Sequence, residues 1–222
     1  MEEGLLALLG TGRQGEIAAA YFGFDGRGGA SLRVVGNEFG LTYESVRLVA
    51  SKSGERLHAG RWRVPSFDRA LEFIENSLPA LAETVELGLQ SHGLTTTPFR
   101  LEGVVKAAEL LRGTVRFSIT KVGDIRLVHR KKDAASIDAI LRAASRMTSR
   151  WGAATVSGIA AGMRGPNSRA PNRTLIVQVP GCRPDFHWLD PSSGWFWFSA
   201  QAKSDCRPGD EDGVSGVSPD RR

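Results

Sequence analysis

Two groups of side chains have the types and spacing to be weighed as sites. In the first, Tyr43, Glu44, Arg47, Leu48 and Ser51 share the outward face of one helical run that starts at Thr42 and reaches Lys52. A guanidinium, a carboxylate and an aromatic ring on such a face suit the edges of nucleobases. Arg47 is placed for a base or a phosphate, Glu44 for a cytosine amino group, and Tyr43 for apolar contact with a thymine methyl. Thr42 and Lys52, at the two ends, suit the sugar–phosphate backbone. In the second group, Cys182, Asp185, His187 and Asp190 fall within nine residues, and these donor types serve metal binding or acid–base work. Strand alternation already accounts for Asp185 and His187, and turn preference for Asp190 ahead of Pro191-Ser192-Ser193-Gly194.

No catalytic residue, metal site or cofactor is therefore expected, and the chain reads as a binding protein, not an enzyme. His58, His92 and His129 are isolated from one another. No phosphate-cradling loop or dinucleotide turn is present, and the glycines from Gly26 to Gly29 join two helices instead of following a strand.

The elements that must position the first group are short. Ser31 is an N-cap, and Leu32, Val35, Gly36 and Phe39 recur at helical spacing behind it. Gly40 ends that helix, because a residue without Cβ accepts the left-handed conformation that a tight helix-to-helix turn requires. Thr42 caps the next helix, whose Leu41, Val46 and Val49 form the inward stripe, while Gly36 faces Val46 and lets the pair cross closely. Such a pair presents the N-terminal half of its second helix to a DNA major groove.

These residues resemble region four, the promoter-reading C-terminal domain of bacterial sigma factors of RNA polymerase. The matching positions are Leu32, Val35, Gly36, Phe39, Leu41, Thr42, Glu44, Val46, Arg47, Val49 and Lys52, and Tyr21 to Gly26 resembles the motif that closes the family's preceding helix. The resemblance covers residues 13–58. Tyr43, Ser45, Leu48 and Ala50 stand where the family has Arg, Arg, Gln and Glu, and the positions of Tyr43 and Leu48 contact promoter bases in that family. Nothing corresponds to the sigma region that binds core polymerase and melts DNA. The resemblance thus implies a sigma-like regulator that binds double-stranded DNA and takes part in transcription initiation, not a complete sigma factor. RNA polymerase is a possible partner on the same ground.

Charge supports a polyanionic partner. The chain has a net charge of +5, and residues 112–173 alone hold thirteen basic against three acidic side chains. Lys121, Arg126, Arg130, Lys131 and Lys132 of this segment are candidates for phosphate contact, which positions a protein but specifies little. The plainer alternative is a solvated basic face.

Beyond residue 62 the expected order is helix, loop, helix, hairpin. Helices begin at Pro65 and Pro79 and run from Arg100 to Leu111, followed by strands Val115 to Ile119 and Ile125 to Val128 around Gly123-Asp124. The order recurs: helices over 136–150 and 154–163, a basic loop over 164–171, a strand over 175–179, and a hairpin of Phe186 to Leu189 with Trp195 to Phe198. The fold class is therefore mainly α with small β hairpins, an N-terminal helix-turn-helix of sigma region-four type followed by winged-helix-like units. The units span residues 1–62, 63–131 and 132–198. The hairpin's tryptophans and phenylalanines form either a stacking platform or partner surface, or the core of the last unit, and alternation favours the core.

Residues 199–222 lack apolar periodicity and read as disordered. Back-translated with GC-rich codons and shifted by one base from Gln201, the tail reads approximately as an amphipathic basic helix, and an out-of-frame extension of a longer parent is the expected origin. The apolar run at the N-terminus is too short for a signal peptide and no stretch is long enough to span a membrane, so the expected location is cytoplasmic. A protein-interaction module binding polymerase or a regulator through its aromatic surface is the alternative function.

Overall fold

The computed structural model describes residues 1–122, 125–163 and 172–199. The expected turn at Gly123-Asp124, the basic loop over 164–171 and the tail from residue 200 lie outside them. Among the described residues the chain is mainly helical with two three-stranded antiparallel sheets.

Helices α1 (Glu2–Leu9) and α2 (Arg13–Phe22) form a bed for the next two. Ser31 accepts a hydrogen bond from the Val34 N–H at 3.3 Å and opens α3 (Leu32–Phe39), and Gly40 closes it at φ 64°. The Thr42 hydroxyl then accepts from the Ser45 N–H at 3.2 Å and opens α4 (Tyr43–Ala59), with Glu44 in its first turn. Gly36 is what lets α3 meet the turn. A Cβ there would stand 2.8 Å from the Leu41 carbonyl oxygen and 3.8 Å from Val46. Ile17, Ala20, Val35 and Val46 make a small core beneath this helix pair.

The chain continues through α5 (Pro65–Ser77), β1 (Ala80–Leu81), α6 (Ala82–Ser91), α7 (Leu101–Arg112), β2 (Phe117–Val122) and β3 (Ile125–Arg130). A 3-10 turn over Lys131–Asp133 leads into α8 (Ala134–Trp151), β4 (Ala154–Thr155), α9 (Val156–Gly162), α10 (Arg173–Gly181), β5 (Phe186–Asp190) and β6 (Trp195–Phe198). One order of elements thus appears twice: helix, two-residue strand, helix, helix, hairpin. In each copy the short strand pairs with the second strand of its hairpin, giving sheets ordered β1-β3-β2 and β4-β6-β5.

Three local expectations are corrected. The run expected to be helical from Pro79 begins with a strand, because the backbone of Ala80 and Leu81 pairs with Val128 and Leu127. The run expected to be helical from Ala154 does the same against Phe196 and Trp195, and α9 starts directly after Thr155, whose hydroxyl accepts from the Gly158 N–H at 2.9 Å. The segment 175–179, expected to be a strand, belongs to α10. The Asn172 side chain caps it at the Thr174 N–H (3.0 Å), and Ile176 and Val179, three apart, are both fully buried. The core takes a helical stripe from this run.

The expected boundary at residue 62 runs through one continuous core. Leu5, Phe22, Phe24 and Leu57 share a buried cluster with Phe67, Ile74, Leu89, Phe99 and Val104. Polar contacts stitch the same seam: Arg112 donates to the Trp62 carbonyl at 2.8 Å and pairs with Asp68, and the Arg100 N–H donates to the Gly26 carbonyl at 2.9 Å. Helix α7 lies within this body. Its Leu101, Gly103, Val104, Ala107, Ala108 and Leu111 are buried, and a Cβ at Gly103 would run into the Gly23 carbonyl. The third unit has a separate core built on Ile137, Ile140, Ala144, Ile159, Ile176 and Phe196. Strand β3 borders both cores, with Val128 in the first and Leu127 in the second.

Candidate nucleic-acid interface

Helix α4 is divided along its length. Its C-terminal half is held by α2 and α7, with Ala50 and Leu57 buried. Its N-terminal half packs on α2 and α3 through Val46 and Val49, and from its other side Tyr43, Glu44, Arg47 and Leu48 project from the surface, Leu48 with 62% of its area exposed. The Arg47 Nε donates to Glu44 Oε2 at 2.8 Å, so the two charged groups present one paired edge. A pair this exposed adds little to stability, and both groups are accessible to a ligand.

The other expected members of the face are also placed on it. Thr42, Ser51 and Lys52 are exposed. The Thr42 hydroxyl is taken up in capping and in a 2.9 Å bond with Ser45 Oγ, and the Ser51 hydroxyl donates to Glu55. Arg13 secures the approach by donating to the Phe39 carbonyl at the end of α3 at 2.5 Å, and Arg27 bridges Asp25 and Glu38. Sequence reasoning missed both, since the Phe39 and Glu38 partners lie in another element.

Of the expected phosphate contacts, Lys121, Arg130, Lys131 and Lys132 are exposed, and none takes part in an ion pair among the described residues. Arg126 is a correction. Its side chain, 13% exposed, points its donors into the molecule, where Glu86, Glu102 and Glu83 accept at 2.9 to 3.1 Å. Burial works against its charge, but hydrogen bonds to Glu86, Glu102 and Glu83 more than offset that and raise its pKa. It ties β3 to α6 and α7 and has no donor to spare for a phosphate.

The second chemical group does not assemble. Arg183 grips Asp185 with two hydrogen bonds of 2.8 and 2.6 Å. His187 reaches the Ser199 hydroxyl, and Asp190 accepts from the Ser192 N–H in the hairpin turn. Cys182 donates towards the Pro79 carbonyl, and burial pushes its thiol pKa up, away from the reactive thiolate. Among the described residues no three His, Cys, Asp or Glu side chains converge to hold a metal ion.

The Arg183 hydrogen bond, outweighing burial, holds the Asp185 carboxyl below the usual carboxylate range. A carboxyl with a lowered native pKa contributes stability that is present above its unfolded value and lost as pH falls through the native one. Thermal unfolding midpoints should therefore drop below about pH 4, and less steeply in Asp185→Asn. Parallel pH profiles for the two proteins would count against that role.

In the hairpin, Phe196 is buried and Phe186 and Phe198 pack against the same core, as alternation requires. The outer face is not core: Trp195 and Trp197 are exposed, the latter stacked on His187 with ring centres 5.2 Å apart. Among the described residues no helix is long and apolar enough to cross a membrane. Comparison of the chain with protein-family models, with curated proteins and with solved structures gives no match.

Proposed function

We propose that the protein binds double-stranded DNA with sequence preference through the N-terminal half of α4, as a sigma-like regulator associated with transcription initiation. The observation that carries this reading is the exposed set Tyr43, Glu44, Arg47 and Leu48 on a helix whose other half is anchored. Such a helix keeps its reading edge rigid while it enters a groove. The resemblance of residues 13–58 to sigma region four, with its capping residues and its closely packed Gly36, supports the same assignment. Exposed Lys121, Arg130, Lys131 and Lys132 supply backbone contact in this reading. The middle unit, with winged-helix order, then acts as a scaffold, because its third helix α7 is buried.

Titration of random duplex DNA at increasing salt tests the reading. Log affinity should fall linearly with log salt, by about 0.9 per phosphate contact. Absence of duplex binding at low salt would remove it. A second reading rests on the exposed Trp195, Trp197 and His187 of the outer hairpin face, a surface suited to polymerase or a regulatory partner. That reading gains if duplex DNA is not bound and alanine at Trp195 and Trp197 abolishes polymerase retention.

A further inference from the structure

We propose that the cleft between α8 and α9 takes an unpaired nucleobase while the arginines of α8 hold the adjoining phosphates, so that the protein has a second site, for single-stranded nucleic acid. This goes beyond the duplex-binding reading and stands on other residues.

The observations begin with charge. Arg142, Arg146 and Arg150 follow one another at intervals of four on α8, which sets them roughly 6 Å apart along one face. All three are exposed. Between Ala134 and Cys182 the sequence holds six arginines and a single acid, Asp138, which pairs with Arg142 at 3.0 Å. Arg146 spends only its Nε, on the Arg142 carbonyl at 3.3 Å, and its terminal nitrogens have no hydrogen-bond partner among the described residues. The complementary partner is a polyanion.

The cleft says which one. Its floor is Ala143, Met147, Gly158 and Gly162, and its walls are Arg146, Arg150 and Trp151, enclosing about 370 Å³. Apolar atoms dominate the floor, and a Cβ added at Gly162 would meet nothing within 4 Å, so the mouth stands open. Trp151 closes α8 with 64% of its area exposed, and the Arg150 guanidinium lies 5.5 Å from its ring centre. An open apolar slot beside an exposed indole that already carries a guanidinium is a stacking site, and base stacking of this kind tolerates any sequence. Duplex DNA keeps its base faces covered. An unpaired strand offers both the face for Trp151 and the phosphates for the arginine row.

The test is fluorescence anisotropy of the full chain with a labelled oligothymidine, an oligouridine of the same length and a hairpin duplex. The single strands should bind, and Trp151→Ala should weaken them about tenfold while Trp151→Phe retains most of the affinity. Arg146→Ala with Arg150→Ala should lower the salt slope by roughly 1.4, about 0.7 per lost contact. Either ranking of the DNA and RNA strands supports the site and names its preferred sugar. Duplex affinity should change less than about twofold in the Trp151 variants, and single-strand affinity should be unmoved in Arg47→Ala. No single-strand binding, or binding indifferent to Trp151 and the arginine pair, would overturn the proposal. Those results leave duplex binding through α4 to be judged by the Arg47 variant alone.

Discussion

Arg126→Ala should lower the free energy of unfolding by about 3 kcal/mol or somewhat more, a larger loss than truncation of any exposed charge in the molecule should cause. The reason is the partner left behind. Glu86 is buried, with 8% exposure, and one of its oxygens already accepts from the Leu101 N–H at 3.0 Å where α7 begins. Without the guanidinium that carboxylate stays in low-dielectric surroundings with no countercharge, and the N-terminus of α7 is held by a group that must be dehydrated or protonated. Glu83 and Glu102 are more exposed, at 53% and 41% of their side chains, so alanine at either should cost no more than about 1 kcal/mol. Urea unfolding of the three variants checks the ranking. A loss at Arg126 no larger than at Glu83 would show that the cluster is only a surface network.

Arg47→Ala should weaken binding to a selected duplex site by about 1–3 kcal/mol while leaving stability nearly unchanged. Its Nε bond to Glu44 is solvent-exposed, so removing it costs the free protein little. The same change removes a forked donor from the reading face. Glu44→Ala should act differently, relaxing preference at one base pair with a smaller effect on total affinity, since a carboxylate near phosphates specifies more than it attracts. Selection from a randomised duplex pool followed by competition against the variants measures both. An unchanged affinity and sequence profile for Arg47→Ala would take that residue out of the site.

Local chemistry is the legible part of this fold. Ser31, Gly40 and Thr42 determine their own backbone through caps and a left-handed turn, and no distant contact is needed to read them. The aromatic hairpin is legible for the same reason, since alternation and the turn at Asp190 are properties of neighbours in sequence. The two-residue strands β1 and β4 are not, because a strand that short exists only through its pairing with a partner 40 to 48 residues onward. Arg126 misleads on similar grounds. A basic residue on a hairpin reads as solvent-facing until the fold brings Glu83, Glu86 and Glu102 around it. The arginine stripe on α8 is written at spacing four, yet the cleft beside it exists only once α9 has folded back.

Strand β3 belongs to two cores at once, through Val128 on one side and Leu127 on the other. A flexible tether would let the two ends of the molecule search for their targets independently, whereas a common wall turns their separation into a fixed gauge. A duplex site and an unpaired strand joined on one nucleic acid should then be engaged together only above a minimum spacer length, the length that spans the gauge, and a shorter spacer should leave one of the two empty.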